Sequence, residues 1–235
     1  ILESAGQHQL DEVSHMDAGR RGVEADIELH LLGIESRAQR VQVGDCPQAA
    51  ADQSLDLGGA AIGAAITYTA GKLPYGYAGL GDLSVLLFFG WLGVLGSYYV
   101  QAARFAPALV LPATACGLLA VAVLNVNNVR DLESDRLAGK RSIPVRLGLR
   151  RARAYHWLLL GLAVVCATVY VLLTFTSLWQ LLYLLAVPLL VRNGLAVART
   201  EALHTLNPWL RQMSLAALAF ATLFALGQAL PTIFV

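Results

Sequence analysis

From Leu83 onward the chain alternates long apolar runs with short polar connections, and this alternation restricts its possible folds more than any other feature. About twenty apolar residues wound as an α-helix cross the hydrocarbon core of a bilayer with every backbone amide satisfied internally. Leu83 to Gln101, Ala106 to Val126, Tyr155 to Phe175, Leu178 to Ala198 and Met213 to Phe234 each read as such a span. Leu55 to Gly71 is shorter, but its Gly and Ala residues let helices approach closely, so it reads as a sixth. The connection after it, Lys72 to Asp82, holds Pro74 and several glycines and is not expected to form a regular helix. An all-α, polytopic membrane bundle of about six spans follows. A composition of 57% hydrophobic and 14% charged residues, with a mean hydropathy of +0.58, agrees with it and excludes an ordinary soluble domain.

Residues 1–54 are different in kind. They lack a long apolar run, and residues 1–56 hold four Arg against eleven acids, whereas the remainder holds thirteen Lys and Arg against five acids. The net charge of +1 conceals this division. Two regions are therefore expected: a polar, weakly ordered segment over 1–54 and a membrane domain over 55–235. The first segment begins at Ile1 without the pattern of a signal peptide. His15, Asp17, Glu24, Asp26 and Glu28 resemble a metal cluster only as any acidic tail does. Cys46, Cys116 and Cys166 have neither disulfide-framework nor zinc spacing. Nucleic acid is not an expected partner, because the cations gather in one loop between spans.

That loop, Asn127 to Gly148 (NNVRDLESDRLAGKRSIPVRLG), is the strongly charged segment within the apolar region. If Asn127 to Arg136 is helical, Asn127, Asp131 and Asp135 follow at i, i+4 and i+8 and share a face. Two carboxylates there suit a divalent cation. Gly139 permits a chain reversal, and Lys140, Arg141 and Arg146 are donors that suit a phosphate. Mg²⁺ favours one or two carboxylates together with substrate phosphate oxygens, so the residues point to a Mg²⁺-diphosphate site. The plainer alternative is a basic loop that only sets topology, with Arg130 and Arg136 neutralising the two acids locally.

Cation placement orients the bundle. With six spans, eleven Lys and Arg fall on the motif side and only Arg104 on the other, so the motif loop is expected in the cytoplasm. Arg192, inside the fifth span, either snorkels to the interface or lines a ligand cavity. Tyr68 and Lys72, one helical turn apart, could face one ligand at the end of the first span. Asn125, Asn127 and Asn128 close the third span, where amides need polar partners.

The residues Tyr68 to Gly90, Asn127 to Gly148 and Ala152 to Leu160 resemble the UbiA-type intramembrane aromatic prenyltransferases, within them the branch acting on 1,4-dihydroxy-2-naphthoate in menaquinone biosynthesis. The resemblance covers about Leu55 to Val235. It implies a nine-helix fold around a cavity open sideways to lipid, in the bacterial plasma (inner) membrane. It also implies Mg²⁺-dependent transfer of a polyprenyl chain from polyprenyl diphosphate to the naphthoate, giving demethylmenaquinone. By the same likeness Asp131 and Asp135 would be Mg²⁺ ligands, with Lys140 and Arg141 as diphosphate contacts. Asn127 and Asn128 would border the site, and Tyr68 and Lys72 would match the family's Tyr-x-x-x-Lys pair.

The family also carries a first Asp-rich motif, of the N-D-x-x-D type, between its second and third spans. Residues 1–54 offer neither it nor the missing spans, and Asp52 and Asp56 match it only by coincidence. The chain as written is therefore expected to insert in membranes but to turn over little substrate. Alternatives are another aromatic acceptor, such as 4-hydroxybenzoate, homogentisate or a chlorin, and a non-catalytic scaffold or transporter fragment. The repeated halves expected of a transporter are not found.

Overall fold

The computed structural model describes Gly59 and residues 79–233. The described residues belong to one compact unit, Pro47–Val235. Among them every regular element is helical, and five helices are long and apolar enough to cross a membrane. In chain order the helices are α1 (Gly81–Ala102), α2 (Pro107–Arg130), α3 (Leu132–Leu137), α4 (Ile143–Leu147), α5 (Leu149–Leu173), α6 (Leu178–Arg199) and α7 (Asn207–Ile233). The five long apolar runs are α1, α2, α5, α6 and α7. The sixth expected span, Leu55 to Gly71, and the expected boundary after residue 54 lie outside the described residues, apart from Gly59.

Helix ends depart from hydropathy at three places. Helix α5 begins at Leu149, not Tyr155, and so takes Arg150, Arg151 and Arg153 into its first turns. Helix α7 begins at Asn207, not Met213. Helix α2 runs on to Arg130, four residues past the expected end of its span at Val126. Hydropathy marks where hydrocarbon ends, whereas backbone hydrogen bonding carries the helix on through the interface. Winding is irregular at two points: Leu86–Gly96 of α1 is π-wound, and Leu178–Ala186 of α6 is 3₁₀. Pro188 has no N–H to give a carbonyl one turn earlier, and it sits where α6 changes winding.

Many interior positions are small, and many large apolar side chains face outward. Ala113, Ala122, Ala152, Ala163 and Ala167 are wholly buried, while Leu172 and Leu178 are 70% and 76% exposed. In water this would waste the hydrophobic effect. Lipid tails are as apolar as leucine, so association there rests on close van der Waals contact between small residues. Helices α1 and α2 show this most directly, since a Cβ at Gly90 would lie 2.7 Å from the Ala113 carbonyl oxygen and 2.8 Å from the Gly117 Cα.

Buried polar pairs tie α5, α6 and α7 together. His156 Nε2 lies 3.0 Å from Asn193 Oδ1, and Asn193 Nδ2 donates to the Trp209 carbonyl (2.8 Å) and to Gln212 Oε1 (2.6 Å). The hydroxyls of Thr168 and Tyr183 are 2.8 Å apart, and Tyr183 packs edgewise on Phe220 and Phe224. Gln180 Nε2 donates to Gln228 Oε1 at 2.8 Å. Such interhelical bonds contribute about 0.6 kcal/mol each on average, because a helix alone in lipid also finds partners.

Candidate active site

The acidic motif starts where α2 ends. The Asp131 backbone is no longer helical in φ and ψ, yet Asp131 N–H donates to the Asn127 carbonyl at 3.0 Å and Asp135 N–H to the Asp131 carbonyl at 2.8 Å. The i to i−4 register thus passes through the kink into α3, and Asn127, Asp131 and Asp135 keep the common face expected of them. Asp131 receives a bidentate guanidinium: Arg130 Nε reaches Oδ1 at 2.7 Å and Nη2 reaches Oδ2 at 2.6 Å. The same Arg130 donates to Asn127 Oδ1 (2.9 Å) and to Asn207 Oδ1 at the start of α7 (2.7 Å). Hydrogen bonding from Arg130 outweighs partial burial and holds the Asp131 carboxyl below its usual range.

Asp135 is engaged from the other side of the turn. Lys140 Nζ lies 3.0 Å from its Oδ2, and Ser142 Oγ donates to the same oxygen at 3.3 Å. Lys140 also donates to Asn128 Oδ1 at 3.4 Å. Gly139, at φ +72°, makes the reversal that returns Lys140 to Asp135. Both acids are therefore neutralised locally, Asp131 by Arg130 and Asp135 by Lys140; Arg136 is exposed beside them. Asn128 is buried, and Asn125 is wholly buried with its Nδ2 on the Ala152 carbonyl (3.4 Å).

The basic loop rests on the segment leading into α1. Gly79, at φ +80°, packs so closely that a Cβ would collide with the Arg141 carbonyl oxygen and lie 2.8 Å from the Arg146 guanidinium carbon. Arg141 and Arg146 are both exposed in the loop that follows the acids. Tyr68 and Lys72 lie outside the described residues.

An apolar cavity of about 720 Å³ opens between α1, α2, α5 and α7, within the usual range of about 300–1,000 Å³ for ligand pockets. Phe89, Leu119, Val123, Tyr170, Phe220 and Phe224 contribute to its wall. Leu119 and Val123 of α2 line the cavity, and Asn127 and Asp131 continue the four-residue spacing toward the motif, on a row that turns about 120° round the axis from Leu119 to Asp131. At 1.5 Å per residue, Asp131 stands about 12 Å along the axis beyond Val123.

Sequence reasoning passed over Asp82. It is buried, and its Oδ2 accepts the Tyr155 hydroxyl at 2.9 Å, joining α1 to α5. Val85, one turn further along α1, lines the cavity. A lone carboxylate opening an apolar run was the available signal, since such a residue needs a polar partner.

The donors suit Mg²⁺. A carboxylate offers about four lone-pair sites, and Arg130 uses two on Asp131. On Asp135 only Oδ2 is engaged among the described residues. Two such carboxylates need substrate oxygens to complete a coordination sphere, as Mg²⁺ sites beside phosphates do. No group of three or more His, Cys, Asp and Glu side chains that could hold a metal occurs among the described residues, so a cage made of protein side chains alone is not on offer there.

The described residues thus form a bundle whose five long helices are apolar enough to cross a membrane, with an apolar cavity and a loop that carries two acids and several cations. The chain belongs to the UbiA prenyltransferase family, which it matches over residues 52–218. It is similar to the 1,4-dihydroxy-2-naphthoate octaprenyltransferase of Escherichia coli K12, with 54% identity over 74% of this chain and 56% of the relative. The proteins of the same name from Haemophilus influenzae Rd (48%, over 73% and 56%) and Mycobacterium tuberculosis H37Rv (40%, over 74% and 60%) are also similar. The chain thus spans little more than half the length of these relatives.

Proposed function

We propose that this chain supplies the acidic motif, the diphosphate cradle and part of the cavity of a Mg²⁺-dependent prenyltransferase. The reaction moves a polyprenyl chain from its diphosphate to 1,4-dihydroxy-2-naphthoate and releases pyrophosphate and, from the carboxylate, CO₂, giving the quinol form of demethylmenaquinone. The observation that carries this reading is helix α2, which lines the cavity at Leu119 and Val123 and ends at the acidic motif, about 12 Å further along its axis. It lets one molecule lay an isoprenoid tail on apolar wall and its diphosphate at the acids.

In this reading Arg141 and Arg146 hold the diphosphate oxygens, and Lys140 divides its charge between Asp135 and the leaving group. Tyr68 and Lys72, which lie outside the described residues, are further substrate contacts in this proposal. Bound Mg²⁺ would supply the further positive charge needed to stabilise departing pyrophosphate. Asp131 and Asp135 would hold it, and Arg130 fixes where Asp131 stands. The low-dielectric cavity excludes water from the allylic cation, so the electron-rich naphthoate ring captures it. Residues 55–235 form the membrane domain, in the bacterial inner membrane with the motif loop in the cytoplasm.

The test is a chimera in which the aligned portion of this chain replaces its counterpart in the Escherichia coli relative. It is assayed in membranes without the native enzyme, with the naphthoate, a polyprenyl diphosphate and Mg²⁺. Demethylmenaquinone formation that stops on chelation supports the function. A chimera that inserts and folds but makes no product refutes it.

A further inference from the structure

A second recess lies between α6 and the start of α7, sharing no residue with the cavity above. Its volume is about 540 Å³. Val187, Pro188, Val191 and Leu195 form an apolar floor, and two arginines, Arg192 and Arg199, border it with Trp209. The arginines are seven residues apart, two turns on one face of α6. Arg192 starts about 10 Å deeper than Arg199, and its guanidinium carbon stands 5.5 Å from the Trp209 ring centroid. Both side chains are exposed, and neither forms an ion pair with a carboxylate among the described residues.

A cation inside a span needs an anion, a carbonyl or a route to water. Here the guanidinium is fixed on an aromatic ring, on the side of a groove whose other surface is apolar. The groove lies at the motif end of the bundle, because Asn207, two residues before Trp209, is bonded to Arg130. From Leu195 down to Val187 the floor extends about 12 Å toward the bilayer centre. Arg199 at the outer end, Arg192 turned onto Trp209, and the apolar floor beside them match a lipid that joins a phosphate to an acyl chain.

We propose that this groove is a binding site for one anionic phospholipid of the surrounding membrane. The phosphate is held by Arg192 and Arg199, Trp209 packs at the headgroup level, and one acyl chain lies along Val191, Pro188 and Val187. The site is separate from the proposed reaction centre and does not depend on the chain being catalytic.

Native mass spectrometry of the purified full chain tests it, after delipidation and titration with phosphatidylglycerol or phosphatidylcholine of matched acyl chains. One phosphatidylglycerol should be retained in clear preference to phosphatidylcholine. Each of Arg192→Gln and Arg199→Gln should weaken its retention about fivefold, and the pair should abolish the preference. Arg192→Lys with Arg199→Lys should keep most of it, and Arg150→Gln with Arg151→Gln should leave it unchanged. Where the double Gln variant does not fold, Arg199→Gln at the exposed end carries the test alone. Equal retention of the two lipids, undiminished preference in a folded Gln variant, or displacement of phosphatidylglycerol from this groove by a polyprenyl diphosphate at lower concentration would each overturn the proposal.

Discussion

Replacing Asp131 by Asn separates a catalytic from a merely structural acid, because the structure sets the two effects far apart. Asn is nearly isosteric and keeps one carbonyl oxygen for Arg130, so what is lost is mainly charge. The Arg130–Asp131 pair is partly open to solvent, with side chains 23% and 32% exposed. Such a pair contributes about 0.2–1 kcal/mol, and the retained bond offsets part of that. Stability should therefore fall by no more than about 1 kcal/mol. If Asp131 instead helps hold a Mg²⁺ that would neutralise a diphosphate in a cavity of low dielectric, its charge acts mainly on the transition state. Losing one comparable electrostatic group costs ~10² to 10³ in rate. The assay is turnover of the prenyltransferase chimera over a Mg²⁺ titration, alongside its reversible unfolding in detergent. Asp135→Asn should behave likewise, with a larger stability loss because Lys140 and Ser142 both converge on the replaced group. A rate loss below tenfold with unchanged Mg²⁺ dependence would refute the metal role. Loss of several kcal/mol of stability in step with activity would make the acids structural.

Because the Asp131 carboxyl is held low, the stability its pair with Arg130 contributes is fully present above the unfolded value of about 3.9. It is lost as pH falls through the lower folded value, so this pair should contribute a constant stability, with no pH dependence, between about pH 5 and 8, and Asp131→Asn should remove an acid-side component. Tyr155→Phe leaves Asp82 buried without its hydroxyl partner and should cost about 1–2 kcal/mol, whereas Asp82→Leu combined with Tyr155→Phe should cost less than the sum of the single changes; additivity within about 0.5 kcal/mol would show the pair to be uncoupled. In a chain whose native cysteines are replaced, a cysteine at Ala138 should react with an impermeant thiol reagent from the cytoplasmic side and one at Phe175 from the other. Reversed labelling would overturn the orientation.

Much of this protein is legible without coordinates. Apolar length alone determines that Leu83 to Gln101 and its four counterparts become helices, because hydrocarbon leaves a backbone no other hydrogen-bond partner. The i, i+4, i+8 spacing of Asn127, Asp131 and Asp135 likewise anticipates their common face, and the local hydrogen bonds of the kink preserve it. Gly139 announces the reversal after the acids, since few other residues accept its backbone angles. What the sequence leaves undecided is which distant residues meet. Arg130 was equally able to serve as a topology signal or as a clamp, and only the approach of α7 makes it a clamp that joins Asp131 to Asn207. Asp82 is one acid in an apolar run until α5 brings Tyr155 to it. Arg192 becomes part of a groove only because α7 sets Trp209 beneath it. Local geometry follows from short-range hydrogen bonding and is written in neighbouring residues. Side-chain partners across helices depend on how alanine and glycine faces dock, and small residues allow many dockings that only the assembled bundle resolves.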